Sequence, residues 1–393
     1  MRTVYFDNNA TTRVDPVVFE EMRPYFCDLY GNPSSMHSFG GQVGKKLGEA
    51  RERVAAVLGC DPAEIVFTSC GTEGDNTAIR SALEAQPDKR HIVTTKVEHP
   101  AVLNLVNHLV KKGYHLTLLG VDEQGMIDLD ELRDSLRDDT AIVSIMWANN
   151  ETGTVFPVAE AADIVKSRGI LFHTDAVQAV GKIPIDLRAL PIDFLVLSGH
   201  KLHAPKGIGA LFVRRGTPFR PFMIGGHQER GRRGGTENVP GIIALGKACE
   251  LAAAHMEEEN TRVRELRDRL ERGLLAAIPD TRLNGHPTER LPNTLNLSFK
   301  FVEGEAILLL LDQIGVCASS GSACTSGSLE PSHVLRAMGV PFTYAHGSVR
   351  FSLSRFNTRE EVDFVVREMP KIIERLRSIS PFSEEHSPSA CTA

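Results

Sequence analysis

A serine, a histidine and a lysine stand together in Ser198-Gly-His-Lys201, directly after the apolar run 193–197, which predicts a buried strand. The end of such a strand would bring a hydroxyl, an imidazole and an amine to one point. An enzyme that holds an aldehyde cofactor as a Schiff base and grips its phosphate uses groups of these types. By itself Lys201 is better explained as a charged residue that ends a strand, so other segments must supply the rest of the site.

The segment 171–178 offers the partners that a cofactor ring would need. An aspartate that ends an apolar strand is costly to bury unpaired. Opposite a pyridine nitrogen, Asp175 would stay ionised and keep that nitrogen protonated, which makes the ring an electron sink. Gln178 could reach the phenolic oxygen of the same ring. The alternative for Asp175 is a helix N-cap, but its place one strand before Lys201 favours the ring partner.

Further strand ends also carry polar residues. Gly71 and Thr72 open a predicted helix, where backbone N–H groups and a hydroxyl would cradle a phosphate, although Gly-Thr turns also cap many helices. His99 precedes a proline and could lie over a planar ring and shuttle protons, or simply cap a helix. Asn150 could donate to a carboxylate or to a phenolic oxygen, and the alternative is ordinary turn chemistry.

Segments nearer the carboxyl terminus add a thiol and a cation. Cys324 lies in the run 318–329, which consists almost wholly of small polar residues. Such flanks predict a mobile loop whose thiol is available to react, and the alternative is a surface linker with an incidental cysteine. Arg350 could pair bidentately with a substrate carboxylate, although an arginine in a strand more often forms a surface ion pair. Thr236, in the glycine-rich loop 232–238, could face a phosphate, including one across a subunit interface.

An ordered sheet must position these residues. Between residues 64 and 213, short β-rich runs alternate with helical stretches. This pattern predicts an α/β fold, a mainly parallel sheet with helices on both faces, and such sheets bind ligands at the carboxyl ends of their strands. Strands near 294–299 and 349–353, with helices near 303–312, 332–338 and 359–379, predict a smaller α+β domain. We therefore predict a large cofactor-binding domain over 15–254, a small domain over 1–14 and 255–379, and a flexible tail over 380–393.

Composition narrows the classes of protein. The 393 residues carry a formal net charge of −6, which argues against a nucleic-acid-binding surface. No run approaches the ~18 apolar residues of a membrane span, and the first residues lack the apolar core of a signal peptide. The 7 cysteines are odd in number and scattered, which fits free thiols in a reducing cytoplasm better than a disulfide framework or a metal site.

Several motifs, taken in order, resemble those of the cysteine desulfurases, which are class V, fold-type I pyridoxal-phosphate enzymes. The similarity runs from about residue 3 to 378, without a departure at a functional position. The motif Asp-Asn-Asn-Ala-Thr-Thr is most similar to the corresponding motif in the nitrogen-fixation branch of this family. The motifs are Tyr5-Phe-Asp-Asn-Asn-Ala-Thr-Thr12, Gly31-Asn-Pro-Ser-Ser35, Gly71-Thr-Glu-Gly-Asp-Asn76, Glu98-His-Pro100, Asn149-Asn-Glu-Thr-Gly153, Ser198-Gly-His-Lys201, Arg233-Gly-Gly-Thr-Glu-Asn238 and Ser320-Gly-Ser-Ala-Cys324.

The resemblance implies a role for each candidate residue. Lys201 would hold pyridoxal 5′-phosphate covalently and act as general base, and His99 would stack on the ring and exchange protons. Thr236 would reach the phosphate from the other subunit of a homodimer. Asn150 and Arg350 would take the substrate carboxylate. The residues implied to bind the cofactor are Gly71, Thr72, His99, Asn150, Asp175, Gln178, Ser198, His200, Lys201 and Thr236.

The resemblance also implies a reaction. L-Cysteine would lose its sulfur to Cys324, which leaves a persulfide and releases L-alanine. An iron–sulfur scaffold protein would accept the sulfur, for cluster assembly related to nitrogenase, and Cys324 could transiently ligate a cluster.

Two other classes stay open on the sequence alone. A selenocysteine lyase or an aminotransferase could share the scaffold, but an aminotransferase has no use for Cys324 and needs a keto-acid acceptor. A non-catalytic α/β binding protein would be colourless, whereas a cofactor-bound enzyme would be yellow.

Overall fold

The computed structural model describes residues 3–320 and 331–380. The predicted sulfur acceptor Cys324 and residues 381–393 of the predicted tail lie outside the described residues. None of the helices in the two described ranges is both long enough and apolar enough to cross a membrane.

Strands and helices alternate along the chain. The described strands are β1 (Val4–Tyr5), β2 (Ile65–Thr68), β3 (His91–Thr95), β4 (His115–Leu119), β5 (Thr140–Ser144), β6 (Leu171–Asp175), β7 (Phe194–Ser198), β8 (Gly209–Val213), β9 (Thr281–Asn284), β10 (Thr294–Phe299), β11 (Val316–Cys317) and β12 (Ser348–Ser352). The described α-helices are α1 (Pro16–Met22), α2 (Pro24–Cys27), α3 (Ser38–Leu58), α4 (Gly71–Ala85), α5 (Pro100–Val110), α6 (Leu129–Ser135), α7 (Val158–Ser167), α8 (Val239–Ala254), α9 (Met256–Glu258), α10 (Arg264–Ala277), α11 (Gly304–Gln313), α12 (His333–Ala337), α13 (Phe342–Ala345) and α14 (Arg359–Ile379).

A 7-stranded sheet lies at the centre of the fold, with its strands in the order β2-β8-β7-β6-β5-β3-β4. β4, β3, β5, β6 and β7 are parallel, and β8 is antiparallel to both of its neighbours, β7 and β2. β2 therefore points the same way as β7. As a result, every strand of this sheet except β8 ends at the same edge.

The predicted mainly parallel sheet is confirmed, with two local differences. In the described stretch between β6 and β7, residues 176–193 form turns and not a helix. β8 follows β7 after the 3₁₀ turn Gly199–Lys201 and a short loop. A parallel crossover needs a dozen or more residues, so this short connection returns β8 as an antiparallel neighbour.

Helices bury both faces of the large sheet. On one face, α4 and α5 pack against Ile142 and Val196. On the other, α3, α7 and α8 pack against Val143 and Phe172. Strands covered on both faces have nearly continuous apolar sequences, which is why their short runs were recognisable.

A second core surrounds a 3-stranded antiparallel sheet, β12-β10-β9. Residues of α10, α11 and α14 cover it, together with Val4 and Phe6 from the start of the chain. β1 also pairs with β11, so the first strand belongs to this part of the structure. A π-helical stretch, Glu259–Val263, lies between α9 and α10. The predicted domain boundaries at residues 14 and 254 stay a prediction.

The crossing of α3 and α8 depends on a glycine. A Cβ atom on Gly246 would lie 2.7 Å from Cα and 2.8 Å from Cβ of Ala50, closer than real Cβ contacts. The absence of a side chain therefore sets how closely the two helices approach.

We expect Gly246→Val to lower the free energy of unfolding by about 1–3 kcal/mol, because the new side chain must push α8 away from α3. Chemical denaturation followed by circular dichroism measures this loss. Gly48→Val on α3 is the matched control, since a Cβ there meets nothing within 4 Å, and we expect its effect to stay within about 0.5 kcal/mol. Equal destabilisation by both substitutions would contradict the role of the crossing.

Candidate active site

A cavity of about 500 Å³ opens at the carboxyl edge of the large sheet, a volume ordinary for small-molecule sites. The segments that follow β1, β2, β3, β5, β6 and β7 line it, together with residues from 331–336 and β12. The predicted site residues that it brings together are Gly71, Thr72, His99, Asn150, Asp175, Gln178, Ser198, His200, Lys201 and Arg350.

Lys201 reaches the cavity from the 3₁₀ turn after β7. Its Nζ donates to the backbone carbonyl oxygens of Asn9 (2.5 Å) and Ala10 (2.7 Å). Burial lowers the pKa of Lys201 to about 7, helped by the positive charges of Arg350 and Lys182 and opposed in part by nearby carboxylates. A large fraction of this amine is therefore neutral at physiological pH, as a nucleophile or a general base must be.

Asp175 ends β6 with its side chain buried in the cavity wall. The backbone N–H of Val177 donates to its Oδ1 (2.9 Å), and the described chain forms turns after it, so the N-cap alternative is wrong. Burial raises the pKa of Asp175, and its electrostatic interactions with His99 and Lys201 and the hydrogen bond from Val177 oppose that rise. An ionised carboxylate at this position needs a cationic partner in the cavity.

The amino end of α4 and Ser198 lie together in one corner of the cavity. The N-cap residue Cys70 gives no side-chain hydrogen bond to the first turn of α4, which leaves N–H groups of that turn free for a ligand. The buried Ser198 Oγ has no hydrogen-bond partner among the described residues. Glu73, the acidic residue of the first turn, is neutralised by Arg233 (2.9 Å). A helix amino terminus beside an unbonded hydroxyl suits a phosphate.

His99 caps α5 and also lines the cavity. Its Nδ1 accepts a hydrogen bond from the backbone N–H of Ala101 (3.1 Å), so the proton of the neutral ring resides on Nε2. Burial lowers the pKa of His99, and the negative charge of Asp175 opposes this. His99 is therefore both a helix cap and a cavity residue, which combines the two alternatives that the sequence left open.

The segment after β1 crosses the site and holds residues from distant parts of the chain. Asn9 O accepts from Gln178 Nε2 (3.1 Å) as well as from Lys201. The ring of His200 hydrogen-bonds Thr11 Oγ1 (3.1 Å), and burial is the main cause that lowers the pKa of His200 to about 4. The sequence did not predict this use of backbone carbonyl oxygens. The short polar run after β1 was the only signal for it.

Arg350 enters the cavity from β12 and is 2% exposed, so the surface ion-pair alternative is wrong. Its Nη1 donates to the backbone oxygen of Asn150 (3.0 Å), and its Nη2 donates to Asp7 (2.8 Å). Its Nε has no hydrogen-bond partner among the described residues. The guanidinium plane is therefore fixed, and its buried Nε–H is available to bind an anion.

Sequence reasoning also missed a buried layer of titratable groups near Asp175. Asp75 Oδ1 lies 3.4 Å from His173 Nε2, and Ser144 Oγ hydrogen-bonds the other ring nitrogen (2.8 Å). Burial raises the pKa of Asp75 and that of Glu98, to about 8 for Glu98. Burial lowers the pKa of His173 to about 3. Desolvation thus favours the uncharged forms of these groups, so that they compete less than charged groups would with Asp175 for a cation.

Both ends of the segment that contains Cys324 are fixed beside the cavity. On one side, Ser319 exchanges backbone hydrogen bonds with Arg350 (3.2 and 2.6 Å). On the other, Ser332 Oγ donates to Glu151 (2.5 Å), and His333 Nε2 hydrogen-bonds the backbone oxygen of Glu98 (3.0 Å).

Thr236 is exposed and does not line the cavity of its own chain. It follows a tight turn in which Glu229 (φ 47°) and Arg230 (φ 59°) adopt left-handed conformations that are rare for residues with side chains. Arg51 donates to both carboxylate oxygens of Glu229 (2.8 and 2.7 Å) and holds this turn. The loop is fixed, but it does not deliver Thr236 to this cavity.

We expect Lys201 of the cofactor-free protein to react with a small acylating reagent half-maximally near pH 7, because the neutral amine is the nucleophile. Mass spectrometry of peptides after brief labelling at a series of pH values measures this midpoint. Surface lysines, with reference pKa values of roughly 10.4, are the internal control. A Lys201 midpoint near that of the surface lysines would contradict the desolvated site.

The chain resembles known proteins over nearly its whole length. Residues 4–365 match the family described as aminotransferase class-V. A protein named cysteine desulfurase from Nostoc sp. is 64% identical over 387 residues, 98% of this chain and 97% of the relative. The cysteine desulfurase NifS of Azotobacter vinelandii is 59% identical over 389 residues, 99% of this chain and 97% of the relative.

A solved structure agrees with these relatives. The structure described as a NifS-like protein is 42% identical, with a TM-score of 0.90, and the match covers 95% of this chain and 100% of that one. The family match, the similar relatives and the similar solved structure all indicate the same family. The chain belongs to the aminotransferase class-V family and, within it, to the cysteine desulfurases.

Proposed function

We propose that this protein removes sulfur from L-cysteine, with release of L-alanine and formation of a persulfide on Cys324. The observation that carries this proposal is Lys201, a buried amine with a pKa of about 7 that shares one cavity with Asp175 and Arg350. These are the groups needed to bind an amino acid and to move its α-proton. Relatives named cysteine desulfurase, at 59–64% identity, indicate the substrate.

The residues of the cavity fit pyridoxal 5′-phosphate. The unpartnered Ser198 Oγ and the uncapped amino end of α4 suit its phosphate. Asp175 suits the protonated ring nitrogen, Gln178 the phenolic oxygen, and Lys201 the aldehyde. When bound, the cofactor supplies a carbonyl that condenses with amines and a ring that delocalises negative charge.

Lys201 moves the first proton. Its lowered pKa leaves the amine able to hold the cofactor and, in its free form, able to accept the proton from the substrate Cα at Nζ. The carbonyl oxygens of Asn9 and Ala10 would bind Nζ after it gains a proton, because they are its hydrogen-bond acceptors in the free site.

Arg350 orients the substrate. Its plane is fixed by Asp7 and Asn150, and its Nε can donate to the substrate carboxylate together with the Asn150 side chain. His99, neutral with its proton on Nε2, can donate that proton at the substrate and take it back.

Cys324 accepts the sulfur. Its thiolate attacks the substrate sulfur, so that an S–S bond forms while the Cβ–S bond breaks. The electron pair of the broken bond stays with the carbon skeleton, which takes up one proton at Cβ and regains at Cα the proton that Lys201 removed, to become alanine. The fixed positions of Ser319 and Ser332 beside the cavity support this role, because the segment between them starts and ends at the site.

The finer predictions belong to the same proposal. The protein acts as a homodimer in which Thr236 of one subunit contacts the phosphate of the other, which agrees with its exposure and its absence from its own cavity. It hands sulfur to an iron–sulfur scaffold protein, in assembly related to nitrogenase, as likeness to NifS suggests. Cys27, Cys60, Cys70, Cys249 and Cys317 are free, which supports a reducing cytoplasm.

We expect Cys324→Ala to abolish sulfide release and alanine formation from L-cysteine, while the visible absorbance of the bound cofactor is kept, because the cysteine acts after cofactor binding. Sulfide and alanine assays in the presence of dithiothreitol measure both products. Cys27→Ala, which removes an exposed thiol, is the matched control and should keep full activity. Normal alanine release by the Cys324 variant, or amino transfer to a keto acid at a comparable rate, would overturn the proposal.

A further inference from the structure

A second lysine lies behind the cavity and is buried more deeply than Lys201. Lys182 is 8% exposed, and its Nζ donates to the side-chain Oε1 of Gln178 (3.1 Å) and to the backbone oxygen of the same residue (3.1 Å). Gln178 is the residue that the proposed function assigns to the phenolic oxygen of the cofactor. Lys182 itself does not line the cavity.

The ammonium group of Lys182 determines which end of the Gln178 amide faces it. An ammonium has three N–H donors and no acceptor, so only the amide oxygen can point toward it. The NH₂ end is then turned the other way, where one N–H is donated to Asn9 O (3.1 Å) and the other is left for the cavity. Rotation of the amide would set donor against donor at Lys182 and acceptor against acceptor at Asn9, and buried unpaired groups are costly.

The surroundings of Lys182 keep it in place and charged. Asn260, in the π-helical stretch, donates to the backbone oxygen of Lys182 (2.8 Å). Burial lowers the pKa of Lys182 to about 8, opposed by the negative charge of Glu259 and assisted by the positive charge of Arg350. Most of the amine is therefore protonated at neutral pH, so its N–H groups can donate to Gln178.

We propose that Lys182 is a positioning residue that fixes the polarity of the Gln178 amide, so that the cavity is offered an N–H donor and not an oxygen. This inference rests on the proposed function, in which the phenolic oxygen of pyridoxal phosphate lies at Gln178. An N–H donor stabilises the anionic form of that oxygen, whereas an amide oxygen would repel it.

The test is a double-mutant cycle on the full chain with pyridoxal 5′-phosphate. The dissociation constant is measured by quenching of Trp147, the single tryptophan, which is 7% exposed between two cavity-lining residues. We expect Lys182→Met and Gln178→Ala each to weaken binding by about tenfold. The double variant should be no weaker than either single variant, because Lys182 acts through Gln178.

A spectroscopic measurement separates positioning from general destabilisation. Lys182→Met should raise the pH midpoint of the colour change of the bound cofactor, because its oxygen loses a donor, and should leave that midpoint unchanged in the Gln178→Ala background. Lys166→Met, which removes a lysine ion-paired with Asp193 (2.8 Å) away from the cavity, is the matched control and should alter neither quantity.

If the two substitutions weaken cofactor binding independently, so that their effects multiply in the double variant, the inference is overturned. It is also overturned if Lys182→Met binds the cofactor with the affinity and the colour change of the unaltered protein. If Lys182→Met fails to fold because Glu259 is left uncompensated, Lys182→Met/Glu259→Gln keeps the charge balance and is judged by the same criteria. If the unaltered chain binds no pyridoxal phosphate, the proposed function fails, which is distinct from a cofactor-binding chain that is indifferent to Lys182.

Discussion

The site depends on the removal of Lys201 from water. Burial is the main cause of its lowered pKa, and this burial requires the segment after β1, whose carbonyl oxygens at Asn9 and Ala10 cover its Nζ. That segment begins in the core of the smaller sheet, where Phe6 is fully buried. The cavity therefore lies where the two cores meet, and residues from both surround this amine.

Desolvation leaves few of the ionisable groups in and around the cavity charged. Desolvation favours the neutral forms of Asp75, Glu98, His173 and His200 at neutral pH, by raising the pKa of the acids and lowering that of the histidines. Asp175, although burial raises its pKa as well, is opposed by nearby positive charge, and a protonated ring nitrogen would add to it. In the proposed function, Asp175 would face the cofactor ring and Arg350 would face the substrate carboxylate.

Residues at strand ends could be predicted from the sequence, whereas contacts between distant segments could not. Asp175, Ser198 and Lys201 follow apolar runs, and parallel topology alone brings them to one edge. The contact between Lys201 and the Asn9 carbonyl, 192 residues away in sequence, leaves no periodic signal, because any residue has a backbone oxygen. Lys182 was missed for a related reason, since a lysine in a turn is ordinarily solvated and only the fold buries it.

Lys201, and not the buried Lys182, is the lysine that we propose to bond to the cofactor. Reduction of the cofactor-loaded protein with borohydride, followed by peptide mapping with mass spectrometry, tests it most directly. We expect a single pyridoxyl group on Lys201. A group on Lys182 or on a surface lysine, or no covalent group in a protein that binds the cofactor, would contradict it.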